Sequence, residues 1–218
     1  MRIEPSQLLD AAQAVFARDG LERGSVRAIA KEAGCDPSLL YYHFENKEAL
    51  YSALLDRKFG QLIPDLEKVA ESFAAQCRSL ASEQGGAQLK ETLWQSMMVF
   101  HKHLIDDAGF RATVRGSVMG SRGFARDELF RHLSQIKGII CGFLEAGKDS
   151  GHLRGDIDPA ITMFFFVRLY IEIVETFPMF AKFNQLPPRE TIALAEEQWF
   201  RLFWAGISDN SKAIGEKP

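Results

Sequence analysis

Residues 25–47 read SVRAIAKEAGCDPSLLYYHFENK, and this stretch decides the fold. Its spacing predicts two short helices joined by a tight turn, with a third helix opening at its end. Ser25 caps the first helix, its hydroxyl accepting an orphan backbone N–H. Val26, Ile29, Ala30 and Ala33 recur at three- and four-residue steps, which gives that helix one apolar face. Gly34 stands where the helix must stop, because glycine takes the left-handed conformation at little cost. Asp36 caps the second helix and Pro37 occupies its first position, where a missing N–H does no harm. Leu40 and Phe44 turn back towards Ile29 and the small Ala30, which lets two helices cross closely. Asn46 caps the third helix.

The outward face of the second helix is left with Pro37, Ser38, Leu39, Tyr41 and Tyr42. A surface poor in charge and rich in hydroxyls can enter a major groove and meet base edges and thymine methyls. Lys47, at the first position of the next helix, opposes that helix's macrodipole. A phosphate against the helix N-terminus would account for it, with Tyr42 and His43 reaching the same backbone. Ser25 and Arg27 complete the expected DNA contacts, Arg27 as a reader of a base.

At three stretches, LLDAAQAVFARDG (residues 8–20), SVRAIAKEAG (25–34) and LLYYHFENKEAL (39–50), the sequence resembles the TetR family of one-component regulators. The resemblance implies an all-α fold: a three-helix helix-turn-helix domain at 1–46, then a larger helical effector-binding and dimerisation domain at 47–207. A polar tail, 208–218, closes the chain. It also implies a homodimer on a double-stranded DNA operator, answering to a small-molecule effector as a ligand-responsive regulator, most simply a repressor. Two departures stand out: Ala28, three after Ser25, excludes a reciprocal capping box, and Cys35 sits in the turn where a small aliphatic residue is commoner.

The 218 residues hold 46% apolar side chains, enough for a sizeable core, and 17 phenylalanines. A formal charge of −3 does not advertise a nucleic-acid binder. Within residues 1–50, six cations (Arg2, Arg18, Arg23, Arg27, Lys31, Lys47) face eight carboxylates. DNA contact must therefore come from local placement rather than a bulk field, and needs two subunits. Cys35, Cys77 and Cys141 are odd in number and widely spaced, as expected of reduced thiols in the cytoplasm; oxidation of Cys35 would disturb the turn. The N-terminus shows no signal peptide. The most apolar run, residues 161–180, contains Arg168, Glu172 and Glu175. Each would cost about 3 kcal/mol at a bilayer centre, so this reads as a buried helix and membrane is not expected as a partner.

Further helices are expected at about 5–19 (Leu8, Leu9, Ala12, Val15 and Phe16 inward, Gly20 as the stop), from 47 onward, and at 89–106, 124–148, 160–177 and 190–207. The helix from 47 would link DNA to the second domain, and Pro64 should kink or interrupt it. Residues 82–87 read as a linker, 109–123 as a short helix between glycines, and 147–159 as turns. Pro178 and the 187–188 proline pair should separate the last two helices. No strand pattern appears.

No metal or cofactor is expected. In HKHLIDD (101–107), His101 and His103 lie about 200° apart on a helix and cannot converge on one ion. The expected effector site gathers Trp94, Met97, Met98, His101, Phe166, Arg168, Tyr170 and Glu172, since rings and thioethers line adaptable apolar cavities. Each polar member has a plainer reading. His101 can be a core or dimer residue, and Arg168 with Glu172 an i,i+4 ion pair. An effector here would be lipophilic with one polar group, anionic if Arg168 holds it and cationic if Glu172 does. Ala195, Trp199, Leu202, Phe203 and Gly206 share a broad face of the last helix; in the family the last two helices pair with their symmetry mates. An enzyme is disfavoured because no nucleophile–base pair, paired inward carboxylates or phosphate loop can be assembled.

Overall fold

The computed structural model describes residues 3–76, 84–119, 123–185 and 188–209. Cys77, part of the expected linker, the first residue of the 187–188 proline pair and most of the expected tail lie outside the described residues. The helices run α1 Pro5–Arg23, α2 Val26–Ala33, α3 Pro37–His43, α4 Lys47–Gln76, α5 Gly85–Phe100, α6 Ala108–Met119, α7 Phe124–Asp149, α8 Pro159–Phe183 and α9 Pro188–Ile207, with a π-helical turn, His101–Ile105, after α5. Among the described residues extended pairing is confined to one bridge, Leu153 with Ser208, so the all-α expectation holds. Two compact units emerge: Met1–Asp65 with Val99–Ile136, and Leu66–Met98 with Lys137–Pro218.

In the first unit, Leu8, Leu9, Ala11, Ala12, Val15 and Phe16 of α1 meet Ile29, Ala30 and Leu40 in one apolar core. Leu50, Tyr51, Leu54, Leu55 and Phe59 extend it along α4. The Tyr51 hydroxyl and Ser117 of α6 hydrogen-bond to each other within it, so Tyr51 buries its ring without orphaning its polar tip. Gly20, with φ 73° and ψ 170°, breaks α1 as expected, but helical geometry resumes to Arg23.

Asp107 ties three helices of this unit. Its carboxylate accepts from Lys58 Nζ of α4 at 2.5 Å, from Gln13 Nε2 of α1 at 2.7 Å, and from Phe110 N, capping α6, at 2.8 Å. A Cβ on Gly109 would come within 2.6 Å of that same Gln13 amide, which would have to shift and strain its bond to Asp107. Burial pushes the Asp107 carboxyl up, and the Lys58, Phe110 and Gln13 bonds outweigh it, leaving it below its ordinary value.

Three expectations need correction. Neither Pro64 nor Pro178 ends its helix: α4 and α8 run through both. Leu62 and Leu66 are buried on either side of Pro64, and burial offsets the lost backbone bond. Gly60, whose carbonyl loses its partner, is open to solvent with nothing within 4 Å of a built Cβ. The run 161–180 is not a buried helix either: Phe166 and Tyr170 are buried, while Ile161, Phe164, Phe165, Leu169, Met179 and Phe180 are exposed. Finally, the helix expected at 89–106 starts earlier and ends in the π turn, where Asp106 N bonds His101 O at 3.2 Å.

Replacing Asp107 with Asn keeps the α6 cap and removes the charge. A carboxyl depressed in the folded state stabilises above its unfolded value of about 3.9 and loses that contribution as pH falls through the folded value. Asp107→Asn should therefore destabilise at pH 6–7 and converge with the parent near pH 3, measured by urea unfolding. A difference that does not change with pH would show that the charge contributes nothing.

Candidate nucleic-acid interface

The helix-turn-helix is built from local bonds that the sequence dictates. Ser25 Oγ accepts from Ala28 N at 3.1 Å. Gly34 adopts φ 67° and ψ 34°, Gly34 N bonds Lys31 O, and Cys35 N bonds Ala30 O. This pair of bonds closes α2 in a Schellman motif and sets the direction of the turn. Asp36 Oδ1 accepts from Ser38 N at 2.8 Å, and the Ser38 hydroxyl and N–H hold that carboxyl below its ordinary value. Leu40 anchors α3 inward, buried against the α2 core.

The rest of α3 is exposed or half-buried. Tyr41 and Tyr42 are 59% and 81% exposed, too open for their rings to serve the core. Ser38 is exposed, and Pro37, Leu39 and His43 are half-buried. Tyr42 stands edge-on to His43 with ring centroids 5.0 Å apart. Ser25 and Arg27 are exposed at the start of α2. Asn46 Oδ1 accepts from Ala49 N at 2.7 Å, capping α4. Lys47, by contrast, has a partner the sequence did not reveal: its Nζ donates to the Glu22 carbonyl at 3.2 Å. That bond ties the end of α1 to the start of α4, a local reason for a cation at this position.

A cavity of about 690 Å³ lies beside this junction, with Phe16, Arg23, Lys47, Tyr51, Arg115 and Ser117 among its walls. None of the residues expected to bind effector lines it. Of those, Met97, Phe166 and Tyr170 are buried in the second unit; Trp94, half-buried, meets Phe200 edge-on at 5.1 Å. Met98 is also half-buried. Arg168 pairs with Glu172 at 3.3 Å. His101 belongs to the first unit, its Nε2 3.7 Å from Asp106. The neighbouring His103 and Lys102 both contact Asp65, at 2.9 and 2.8 Å.

Sequence reading missed Glu196, a buried carboxylate of α9 that accepts from the Tyr170 hydroxyl at 2.8 Å. A glutamate flanked by apolar helix positions was its only signal. Trp199 is buried against Phe166, Tyr170 and Phe203 of its own chain. Leu202 is 72% exposed; Ala195 and Phe203 are half-buried and Gly206 exposed.

A capped, apolar-anchored helix pair presenting an aromatic, hydroxyl-rich face defines a helix-turn-helix DNA-binding protein. Comparison with known proteins agrees. Residues 8–54 match the family model for bacterial regulatory proteins of the tetR family. The fatty acid metabolism regulator protein of Bacillus subtilis is 27% identical over 70% of this chain and 72% of its own length. The KstR2 transcriptional repressor of Rhodococcus jostii is 29% identical over 70% and 69%. The crystal structure of Bacillus subtilis FadR in complex with stearoyl-CoA superposes with a TM-score of 0.68 at 21% identity, covering 94% of this chain and all of that one. Residues 8–54 thus carry the DNA-binding domain of the tetR family of bacterial regulatory proteins.

If Ser25 works as a cap, Ser25→Ala should lower stability by about 1 kcal/mol, while exposed Ser38→Ala, whose backbone N–H keeps its Asp36 partner, should cost less than about half that. Equal losses in chemical denaturation would show that the Ser25 hydroxyl is not the cap that matters.

Proposed function

We propose that the protein is a homodimeric repressor that holds a palindromic operator and releases it when a lipophilic small molecule binds its helical domain. The observation that carries the DNA half is the outward face of α3, whose Tyr41 and Tyr42 have no role in the core. Pro37, Ser38, Leu39 and Tyr41 meet base edges, Arg27 forks onto a guanine, and Ser25, Tyr42, His43 and Lys47 approach the backbone. A two-fold dimer places two such helices in successive major grooves, about 34–36 Å apart or a multiple of that. The dimer reading is supported by the apolar stripe left exposed on α8, with Leu202 exposed on α9.

For the effector, the supporting observation is chemical. Buried Met97 of α5 and buried Phe166 and Tyr170 of α8 lie in the second unit, and α8 also carries the half-buried Arg168. A relative of the same fold holds stearoyl-CoA, a long acyl chain with an anionic head. Arg168, released from Glu172, would serve such a head. Effector binding shifts the equilibrium towards a half-site spacing that no longer fits DNA, and it does so only through differential affinity for the two states.

Selection from a random duplex library should return a two-fold symmetric site, and stearoyl-CoA should release the protein from it in a mobility-shift titration. Asymmetric sites would refute the dimeric mode; retention of DNA at saturating acyl-CoA would refute this effector class. On the selected site, Lys47→Ala should lower the salt slope by about one unit, whereas an unchanged slope would assign Lys47 to the Glu22 carbonyl alone. Because Trp199 is internal, the interface is better probed at Leu202→Glu and Phe164→Glu. Both should yield folded monomers by sedimentation, and intact dimers would place the interface elsewhere.

A further inference from the structure

Asp56 on α4 and Glu128, Arg131 and His132 on α7 form a cluster within the first unit that the DNA-binding reading leaves unused. Three acceptors converge there on one nitrogen. Arg131 Nη2 lies 2.7 Å from Asp56 Oδ1, 2.7 Å from Glu128 Oε1 and 3.1 Å from His132 Nε2. A guanidinium Nη2 carries only two hydrogens, so it cannot satisfy all three. Two carboxylates also face a single positive charge, which leaves the cluster one unit negative.

The ligand atoms are held as a metal site would hold them. Glu128 and His132 are four residues apart on α7 and share a face. The His132 side chain is only 5% exposed, and its ring stacks on Phe59 with centroids 4.5 Å apart and planes 11° from parallel. The ring's Nε2 points into the cluster, 3.1 Å from Arg131 Nη2, and in the neutral tautomer protonated at Nδ1 it offers a lone pair there. The Glu128 carboxylate is oriented by the Ser52 hydroxyl, an outer partner of the kind that fixes ligating carboxylates. His132 Nε2 and Asp56 Oδ1 are 3.4 Å apart. Two ligands placed tetrahedrally about 2.1 Å from one zinc ion would be separated by about that distance. Asp56, Glu128 and His132 each have a ligand atom within 4.8 Å of the others, and the Asp56 side chain is exposed.

We propose that Asp56, Glu128 and His132 bind a first-row divalent cation of the zinc type, with Arg131 as an internal cation that the metal displaces. Arg131 is half exposed, so its guanidinium can swing into water while the three ligands stay. The fourth coordination position opens to solvent on the Asp56 side. One nitrogen and two oxygens suit zinc or its neighbours better than calcium or magnesium, which take oxygen alone. The cluster needs neither effector nor operator to bind an ion.

The test is calorimetric titration of the full, tag-free, chelator-stripped chain with zinc chloride, with the visible absorption of added cobalt(II) as a second readout. The wild type should bind one ion per chain. Arg131→Gln, lacking the competing cation, should bind about tenfold more tightly or better. Asp56→Asn and His132→Gln should each weaken binding by at least about tenfold. Asp56 is on the surface, so its variant stays informative even if a change at buried His132 unfolds the protein. Absence of binding by both wild type and Arg131→Gln would overturn the proposal. So would zinc affinity that survives Asp56→Asn unchanged, which would assign the ion to a site elsewhere on the chain.

Discussion

The first unit depends on a single shared carboxylate. Asp107 accepts from α1, α4 and the first turn of α6 at once. Charge-assisted bonds of this kind are about twice as strong as neutral ones. Because the acceptor is common to all three, the helices cannot shift independently without leaving a donor unmet. Gln13 Oε1 is buried without a partner among the described residues, and Gly109 lies close against the Gln13 amide. The apolar core supplies most of the stability in such a unit. The polar node decides which of several equally apolar packings is adopted.

The same economy governs the reading head. α2 and α3 are too short to be stable alone, so each end is closed by a specific group: Ser25, the Schellman turn at Gly34, and Asp36 with Pro37. With the ends satisfied and Leu40 anchored, the outward side chains of α3 are free of structural duties. The Lys47–Glu22 bond extends this logic to α4: one side chain fastens the end of α1 to the start of the next helix.

What the sequence disclosed is whatever local chemistry decides. Caps at Ser25, Asp36 and Asn46, the break at Gly20 and the inward face of α1 were all readable, because each depends on neighbours within a few residues. The misreadings are where distant packing overrules a local preference. A proline costs about 3 kcal/mol in an isolated helix, yet α4 continues through Pro64 because Leu62 and Leu66 are buried on both sides. On α7, His132 is buried on Phe59 while its apolar neighbour Leu133 is only half-buried, an inversion that no local preference predicts. The convergence of Asp56 with Glu128 and His132 was likewise invisible, since it joins two helices far apart in the chain. The division of α8 into buried and exposed faces follows from the packing of α8 on α9, which no periodicity of α8 alone contains.

The acidic balance of residues 1–50, six cations against eight carboxylates, bears on how such a protein would search a chromosome. Non-specific affinity for duplex DNA comes almost wholly from cations releasing counterions. A head that is itself net negative gains little from that term. Few copies would then be sequestered by the vast excess of irrelevant sequence, so a larger share stays in free solution. The cost falls on the route to the target: with weak non-specific holding, sliding is brief, and arrival depends more on collisions from solution.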